Sequence, residues 1–226
     1  MTGISESTVR RLSHYYRTLE EVEAEGGRTI SSRRLAERGG ITPAQVRKDL
    51  SAFGSFGRRG LGYNVGYLRQ ELRAILGLDR RWRVAVVGAG RVGTALSSYR
   101  GFGRQGFDIV AMLDVDPRRI GQREGAMLIE DVARLAAIAA ERDVEIGVVA
   151  TPPAAAQEVA DALVTAGVRG ILNFAPRKLT VPVHVALRTV DMAVELESLA
   201  FALVHARTGR GTARRRSRRG AASPTA

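Results

Sequence analysis

The feature that most restricts the fold of this chain is an apolar run, Trp82 to Val87, that passes directly into Gly88-x-Gly90-x-x-Gly93 and then into a helical pattern. A strand, a glycine turn and a helix in immediate succession form the opening unit of a dinucleotide-binding sheet. Gly88 allows the tight turn, Gly90 lets the backbone approach a pyrophosphate, and Gly93 lets helix and strand pack closely. Ala89, Arg91 and Val92 complete the loop, whose amides and helix dipole suit phosphate. A cofactor-free α/β domain with a glycine turn is the plainer alternative.

The next apolar run, FDIVAMLD, ends at Asp114, 21 residues after Gly93. A carboxylate there accepts from an adenosine ribose 2′-hydroxyl and repels a 2′-phosphate, which favours NAD(H) over NADP(H). Arg118 and Arg119 follow closely and weaken that preference. The alternation continues with a helix at EDVARLAAIAAE, a strand at VEIGVVAT, a helix from Pro153 to Gly167, a strand at GILNF and a last strand at HVALRTVD. Alternating strands and helices predict a doubly wound parallel sheet over residues 81–191. Ligands in such sheets lie beyond the carboxyl ends of the strands. Thr151, Asn173 and Phe174 occupy such ends, either as contacts near the nicotinamide or as ordinary turn residues.

Residues 1–80 read differently. Val9, Leu12, Tyr16, Leu19 and Val22 form one helical stripe that stops at Gly26-Gly27. A short helix, SSRRLAERGG, follows. A third begins at Thr42-Pro43-Ala44-Gln45, where Thr42 can cap the Gln45 amide, Pro43 suits the first turn and Gln45 can reach back. Its inward positions are Val46, Leu50 and Phe53, which leaves Ala44, Gln45, Arg47, Lys48 and Ser51 outside. The glycine-dense FGSFGRRGLGYNVGY then reads as a β-ribbon turning at Arg58-Arg59-Gly60, and Tyr67 to Leu76 as a linking helix. Three helices and a basic ribbon make a winged helix-turn-helix. Its third helix suits the major groove, with Gln45, Arg47, Lys48 and Ser51 as the reading face. Arg58 and Arg59 at the ribbon tip suit a narrow minor groove. A winged helix that binds protein, or only supports structure, is the alternative.

Charge follows the same division. The net charge of the 226-residue chain is +12, and its 14 basic and 9 acidic side chains in residues 1–80 balance to +5. Residues 81–206 carry 14 of each sign, and residues 207–226 carry seven Arg and no acid. The last segment has no apolar periodicity and is expected to be a disordered basic tail. Met192 to Ala206 is helical in composition but apolar around most of its circumference. Such a helix must be covered on several sides, by a second subunit or by its own domain. The chain has no Cys, which excludes disulfides and thiolate-held metals. No apolar run reaches the about 20 residues of a membrane span, and no apolar signal core opens the chain. A cytoplasmic protein without metal or membrane attachment is expected.

Several blocks together resemble the Rex family of redox-sensing transcriptional repressors over roughly residues 7–206. They are QVRKDLSAFGSFGRRGLGYNV, VVGAGRVGTAL, DVDPRRIG, GILNFAPRKLTVP and TVDMAVELESL. The first and fourth are far more specific than the glycine motif. The resemblance implies a homodimer on an inverted-repeat operator in double-stranded DNA, with a domain-swapped C-terminal helix. It also implies that NADH binds between the two Rossmann domains and releases DNA, while NAD+ competes weakly. Family switch residues match Arg17, Tyr99 and Asp191. Tyr99 would pair with Asp191 when NADH is bound, and Arg17 would take Asp191 in the DNA-competent state. Met192 stands where some members have Phe, and the Arg-rich tail lies outside the family pattern. The competing class is a nicotinamide-dependent oxidoreductase. Against it, no catalytic constellation surrounds Lys178 or His184, and little chain remains for a substrate domain.

Overall fold

The structure, a computed structural model, describes residues 4–58 and 60–219, with the backbone alone for 206–219. It divides into two compact units, one built on the chain up to Arg81 with Gly103–Gly106, the other on Trp82–Phe102 and the chain from Phe107 on.

The first unit runs α1 (Glu6–Ala24), β1 (Thr29–Ile30), α2 (Ser32–Gly39), α3 (Pro43–Ser51), β2 (Gly57–Arg58), β3 (Gly62–Asn64) and α4 (Val65–Ile75). Ser5, Ser31, Thr42 and Asn64 cap the four helices, each side chain accepting from a backbone amide three residues on. The expected stripe of α1 is buried except at Val9, and Tyr15 joins it. These side chains pack with Leu35, Val46, Leu50, Leu68 and Leu72 into one core. β2 and β3 form the expected antiparallel ribbon, Gly57 opposite Tyr63 and Arg58 opposite Gly62. Two differences have identifiable causes. β1 pairs with β3 through Thr29–Asn64 and Ile30–Tyr63. A two-residue strand carries no periodicity, so only its partner reveals it. α4 starts at Val65 rather than Tyr67 because the Asn64 side chain accepts from the Tyr67 amide at 2.9 Å.

The second unit runs β4 (Trp82–Val87), α5 (Arg91–Ser98), a short α6 (Gly101–Arg104), β5 (Phe107–Asp114), β6 (Arg123–Glu124), β7 (Met127–Asp131), a 3-10 turn at Val132–Arg134, α7 (Leu135–Glu141), β8 (Ile146–Val149), α8 (Ala156–Thr165), β9 (Gly170–Asn173), β10 (Ala186–Thr189) and α9 (Met192–Arg219). The sheet order is β10-β9-β8-β4-β5-β7-β6, parallel except for the β6–β7 hairpin at one edge. The strand order reverses on either side of β4, which places a crevice beyond its carboxyl end. Alternation along β4 divides the core. Ala85 and Val87 pack with Leu135, Ile138 and Leu163 on one face, and Val84 and Val86 pack with Val148, Leu96 and Phe107 on the other.

The helix expected from Glu130 is a correction. Glu130 and Asp131 end strand β7, and α7 begins only at Leu135. Asp131 accepts from the Ala133 amide at 2.9 Å, so it starts the turn rather than extending a helix. At the other end of the unit, α9 continues past the expected boundary at Ala206 to Arg219, within the segment expected to be disordered. Ala and Arg are both strong helix formers, and a started helix propagates more readily than it nucleates. Residues 220–226 of the expected tail lie outside the described residues.

Candidate functional site

Two sites take shape, one in each unit. In the first, the Thr42 cap holds the start of α3, its hydroxyl accepting from the Gln45 amide at 3.2 Å. Val46 and Leu50 anchor the inner face, and Arg47, Lys48 and Ser51 are exposed on the outer one. Between α3 and the ribbon lies a groove of about 800 Å3 lined by Ser31, Ser32, Arg47, Ser51, Arg58 and Tyr63 among others. Arg47 donates to the Ser32 hydroxyl at 3.1 Å across that groove. The side chains of Lys48 and Arg58 have no partner among the described residues. Hydroxyls and guanidinium groups along a concave face are the donors that duplex phosphates accept from. Arg59, the other expected tip residue, lies outside the described residues.

Gln45 departs from expectation. Its side chain does not reach back to complete a capping box; Nε2 donates instead to Asp49 Oδ1 at 2.7 Å. Asp49 is only 3 % exposed and also accepts from Arg11, at 2.6 and 2.7 Å, and from the Tyr15 hydroxyl at 2.8 Å. Burial alone would raise its pKa, but donation from Arg11, Tyr15 and Gln45 outweighs this and holds the carboxyl below its ordinary range. Burial, reinforced by Asp49, pushes the Tyr15 phenol well up. Sequence reading missed this cluster. Its signal was a carboxylate at the position next to Leu50, on the side of α3 that carries Val46.

In the second unit the three glycines of the loop after β4 meet different surroundings. Gly88 has φ +103°, and a Cβ there would lie 2.6 Å from the Ala150 carbonyl oxygen. A Cβ on Gly93 would fall on the Gly88 carbonyl oxygen. Both glycines are thus required by the protein itself. Gly90 is different: a Cβ there would meet nothing within 4 Å. The open space lies at the N-terminus of α5, where Arg91, Val92 and Gly93 begin the helix. Among the described residues nothing lies within 4 Å of that position, and helix N-termini are where backbone amides can meet an anion.

Asp114 closes one side. Its Oδ2 accepts from the Ala89 amide at 2.7 Å, and Oδ1 from the amides of Val115 and Asp116 at 2.7 and 2.9 Å. Oδ2 retains acceptor capacity for a ribose hydroxyl. The two neighbouring arginines are engaged. Arg118 pairs with Asp116 at 3.1 Å, and Arg119 donates to the Ala89 carbonyl. Donation from Arg118 lowers the Asp116 pKa. The buried Thr151 hydroxyl has no hydrogen-bond partner among the described residues. An orphaned hydroxyl at a strand end is one that a polar ligand atom would satisfy. Asn173 is fully buried and its side chain serves the turn, donating to the Ala175 and Arg177 carbonyls at 3.1 and 2.8 Å and accepting from the Ala175 amide at 2.9 Å. Phe174 is half-buried against Val84, Val86 and Val148.

Of the expected switch residues, Arg17 is exposed on α1 without an ion pair among the described residues. Tyr99 is 56 % exposed and stacks edge-on against Phe102, ring centroids 5.0 Å apart. Asp191 caps α9, Oδ1 accepting from the Ala193 amide at 2.9 Å. Within the chain Tyr99 and Asp191 share no hydrogen bond.

Comparison with known proteins places the chain in a family. A family model described as "Putative DNA-binding protein N-terminus" matches residues 3–51, and one described as "CoA binding domain" matches residues 79–177. A curated protein of Desulfitobacterium hafniense named redox-sensing transcriptional repressor Rex is 48 % identical over 198 residues, covering 88 % of this chain and 94 % of its own length. Its namesake from Carboxydothermus hydrogenoformans is 49 % identical, covering 88 % and 95 %. This chain belongs to the Rex family. Among solved structures, the Rex-family repressor RSP with β-NAD+ and operator DNA superposes at a TM-score of 0.86, with 36 % identity over 94 % of this chain and 98 % of that one. RSP with β-NADH superposes at 0.85, with 35 % identity over 94 % and 100 %. The Rex relatives are named as regulators rather than enzymes. Among the described residues no helix is long and apolar enough to cross a membrane, and no group of three or more His, Cys, Asp or Glu could hold a metal.

Proposed function

We propose that this Rex-family chain is a cytoplasmic homodimeric repressor that holds an inverted-repeat operator when NADH is scarce and releases it when NADH binds. The observation that carries the reading is the open space over Gly90, where among the described residues a Cβ would meet nothing within 4 Å. NAD(H) would lie with its pyrophosphate against Gly88, Ala89, Gly90 and the first amides of α5. Its adenosine ribose would meet Asp114. Thr151 and Phe174 would lie towards the nicotinamide, with Asn173 holding their loop in place. The matching family model is described by coenzyme A, which carries a ribose phosphate; Asp114 would repel that group. Gln45, Arg47, Lys48, Ser51, Arg58 and Arg59 would meet DNA.

Coupling requires a contact with two arrangements that bind ligand unequally. Arg17, Tyr99 and Asp191 supply the chemistry: one carboxylate, with either a guanidinium or a phenol as its partner. In the dimer, α9 would cross to the second subunit, and NADH between the Rossmann units would exchange Arg17 for Tyr99 at Asp191. The test is operator binding titrated with NADH at several fixed NAD+ levels, with coenzyme A in a parallel arm. NADH is expected to release DNA at concentrations where NAD+ only competes with it. Equal release by both nucleotides would overturn redox sensing, and release by coenzyme A alone would overturn the choice of ligand.

A further inference from the structure

The cluster around Asp49 has a consequence for which base edge α3 can read. An ionised carboxylate only accepts hydrogen bonds, and Asp49 is kept ionised by Arg11, Tyr15 and Gln45. The 2.7 Å contact from Gln45 therefore has to come from the amide nitrogen, never from the amide oxygen. The two ends of the Gln45 side chain are thereby made unequal. Its nitrogen faces the carboxylate with one N–H occupied, and the carbonyl oxygen and the second N–H remain for a partner.

We propose that Asp49 is a specificity-determining positioning residue, which locks the Gln45 amide so that it presents one acceptor and one donor to the base edge. That pair complements adenine, whose major-groove edge offers the N6 amino group and the N7 acceptor. Guanine offers two acceptors there and cannot satisfy the outward carbonyl oxygen. A free glutamine could turn its amide over at no cost; one held against Asp49 cannot. Arg11 and Tyr15 reach Asp49 from α1, so the body of the unit, not α3 alone, sets the orientation. The inference rests on the proposal that α3 enters the major groove.

The test measures binding of the full chain to its operator and to a panel of operators carrying single base-pair changes, at constant salt. Gln45→Ala identifies the position that Gln45 reads by abolishing the preference there. Asp49→Asn, which can donate as well as accept, is expected to reduce the adenine preference at that position from about tenfold to about twofold. Binding to nonspecific duplex is expected to stay unchanged, because phosphate contacts do not depend on the amide. If Asp49→Asn does not fold, the side-chain amide of Gln45 in the wild-type protein is read by NMR. One side-chain N–H proton protected from exchange and shifted by its carboxylate partner is expected, and two protons that exchange as fast as those of an exposed glutamine overturn the proposal. A full preference retained by folded Asp49→Asn also overturns it, as does a Gln45-dependent preference for guanine. If Gln45→Ala leaves every position unchanged, Gln45 reads no base, which overturns both the proposal and its placement on the reading face.

Discussion

At the scale of single residues, three glycines in one motif do different work. Gly88 and Gly93 are required by contacts within the protein, whereas only Gly90 faces open space. Gly93→Ala is expected to cost about 1–3 kcal/mol of stability, because the new methyl group forces backbone apart. Gly90→Ala is expected to change stability by less than about 1 kcal/mol while weakening NADH binding at least about tenfold. Thermal unfolding and nucleotide titration of both variants separate the two roles; a Gly90→Ala protein with unchanged NADH affinity would empty the cradle of its meaning. Asp49 and Tyr15 set a pH window. The Asp49 carboxyl sits below its ordinary 3.8 in the folded chain, so its contribution is present above that value and is lost as pH falls through the folded pKa. The Tyr15 phenol sits above its ordinary 10.0, so its contribution is present below that value and is lost as pH rises towards the folded pKa. Unfolding temperatures of the chain are expected to fall above pH about 10, and Tyr15→Phe is expected to remove the Tyr15 part of that fall.

At the scale of elements, α3 shows how a local signal and a tertiary contact combine. Thr42 caps it as its sequence requires, and Thr42→Ala is expected to cost about 1 kcal/mol, read as a shift in denaturation midpoint. Nonspecific DNA affinity should fall with it, since the cap holds the first turn of the helix proposed to meet DNA. A Thr42→Ala variant of unaltered stability would show that α3 is held by packing of Val46 and Leu50 alone. The other half of the expected capping box does not form, because Asp49 is a stronger acceptor for Gln45 than a backbone amide could be a donor to it. β7 gives the reverse lesson. Glu130 and Asp131 have helical neighbours in sequence, yet Met127–Asp131 pairs with β5 through Met112–Ile129 and Asp114–Asp131. A strand slot beside β5 outweighs a weak helical preference.

At the scale of the whole molecule, α9 is the element whose surroundings matter most. Leu196, Leu199, Phe201 and Leu203 are each at least 60 % exposed on the single chain. These exposures leave α9 uncovered by the described residues of its own chain. Apolar side chains exposed around a helix in this number favour association with another chain. Leu199→Asp combined with Leu203→Asp is expected to convert a dimer to a monomer in sedimentation and to weaken operator binding. A double variant that remains dimeric would remove α9 from the interface. Charge has its place at this scale too. The balanced charge of residues 81–206 leaves the basic excess to the DNA-facing unit and the Arg-rich end. Neutralising Arg47 and Lys48 should therefore reduce the salt dependence of operator binding.

The two units, the α1 stripe, the capped α3 and the glycine loop running to Asp114 were all legible in the order of residues. Each of these is local: a side-chain period, a cap or a backbone conformation is dictated by residues within a few positions. Packing between distant segments settled the rest: that β1 and β7 are strands, and that the carboxylate beside Gln45 is buried and paired from α1. Those outcomes depend on partners far apart along the chain, such as Arg11 and Tyr15 meeting Asp49. No window of sequence contains both sides of such a contact, and the free energy that selects it exists only once the core has brought them together.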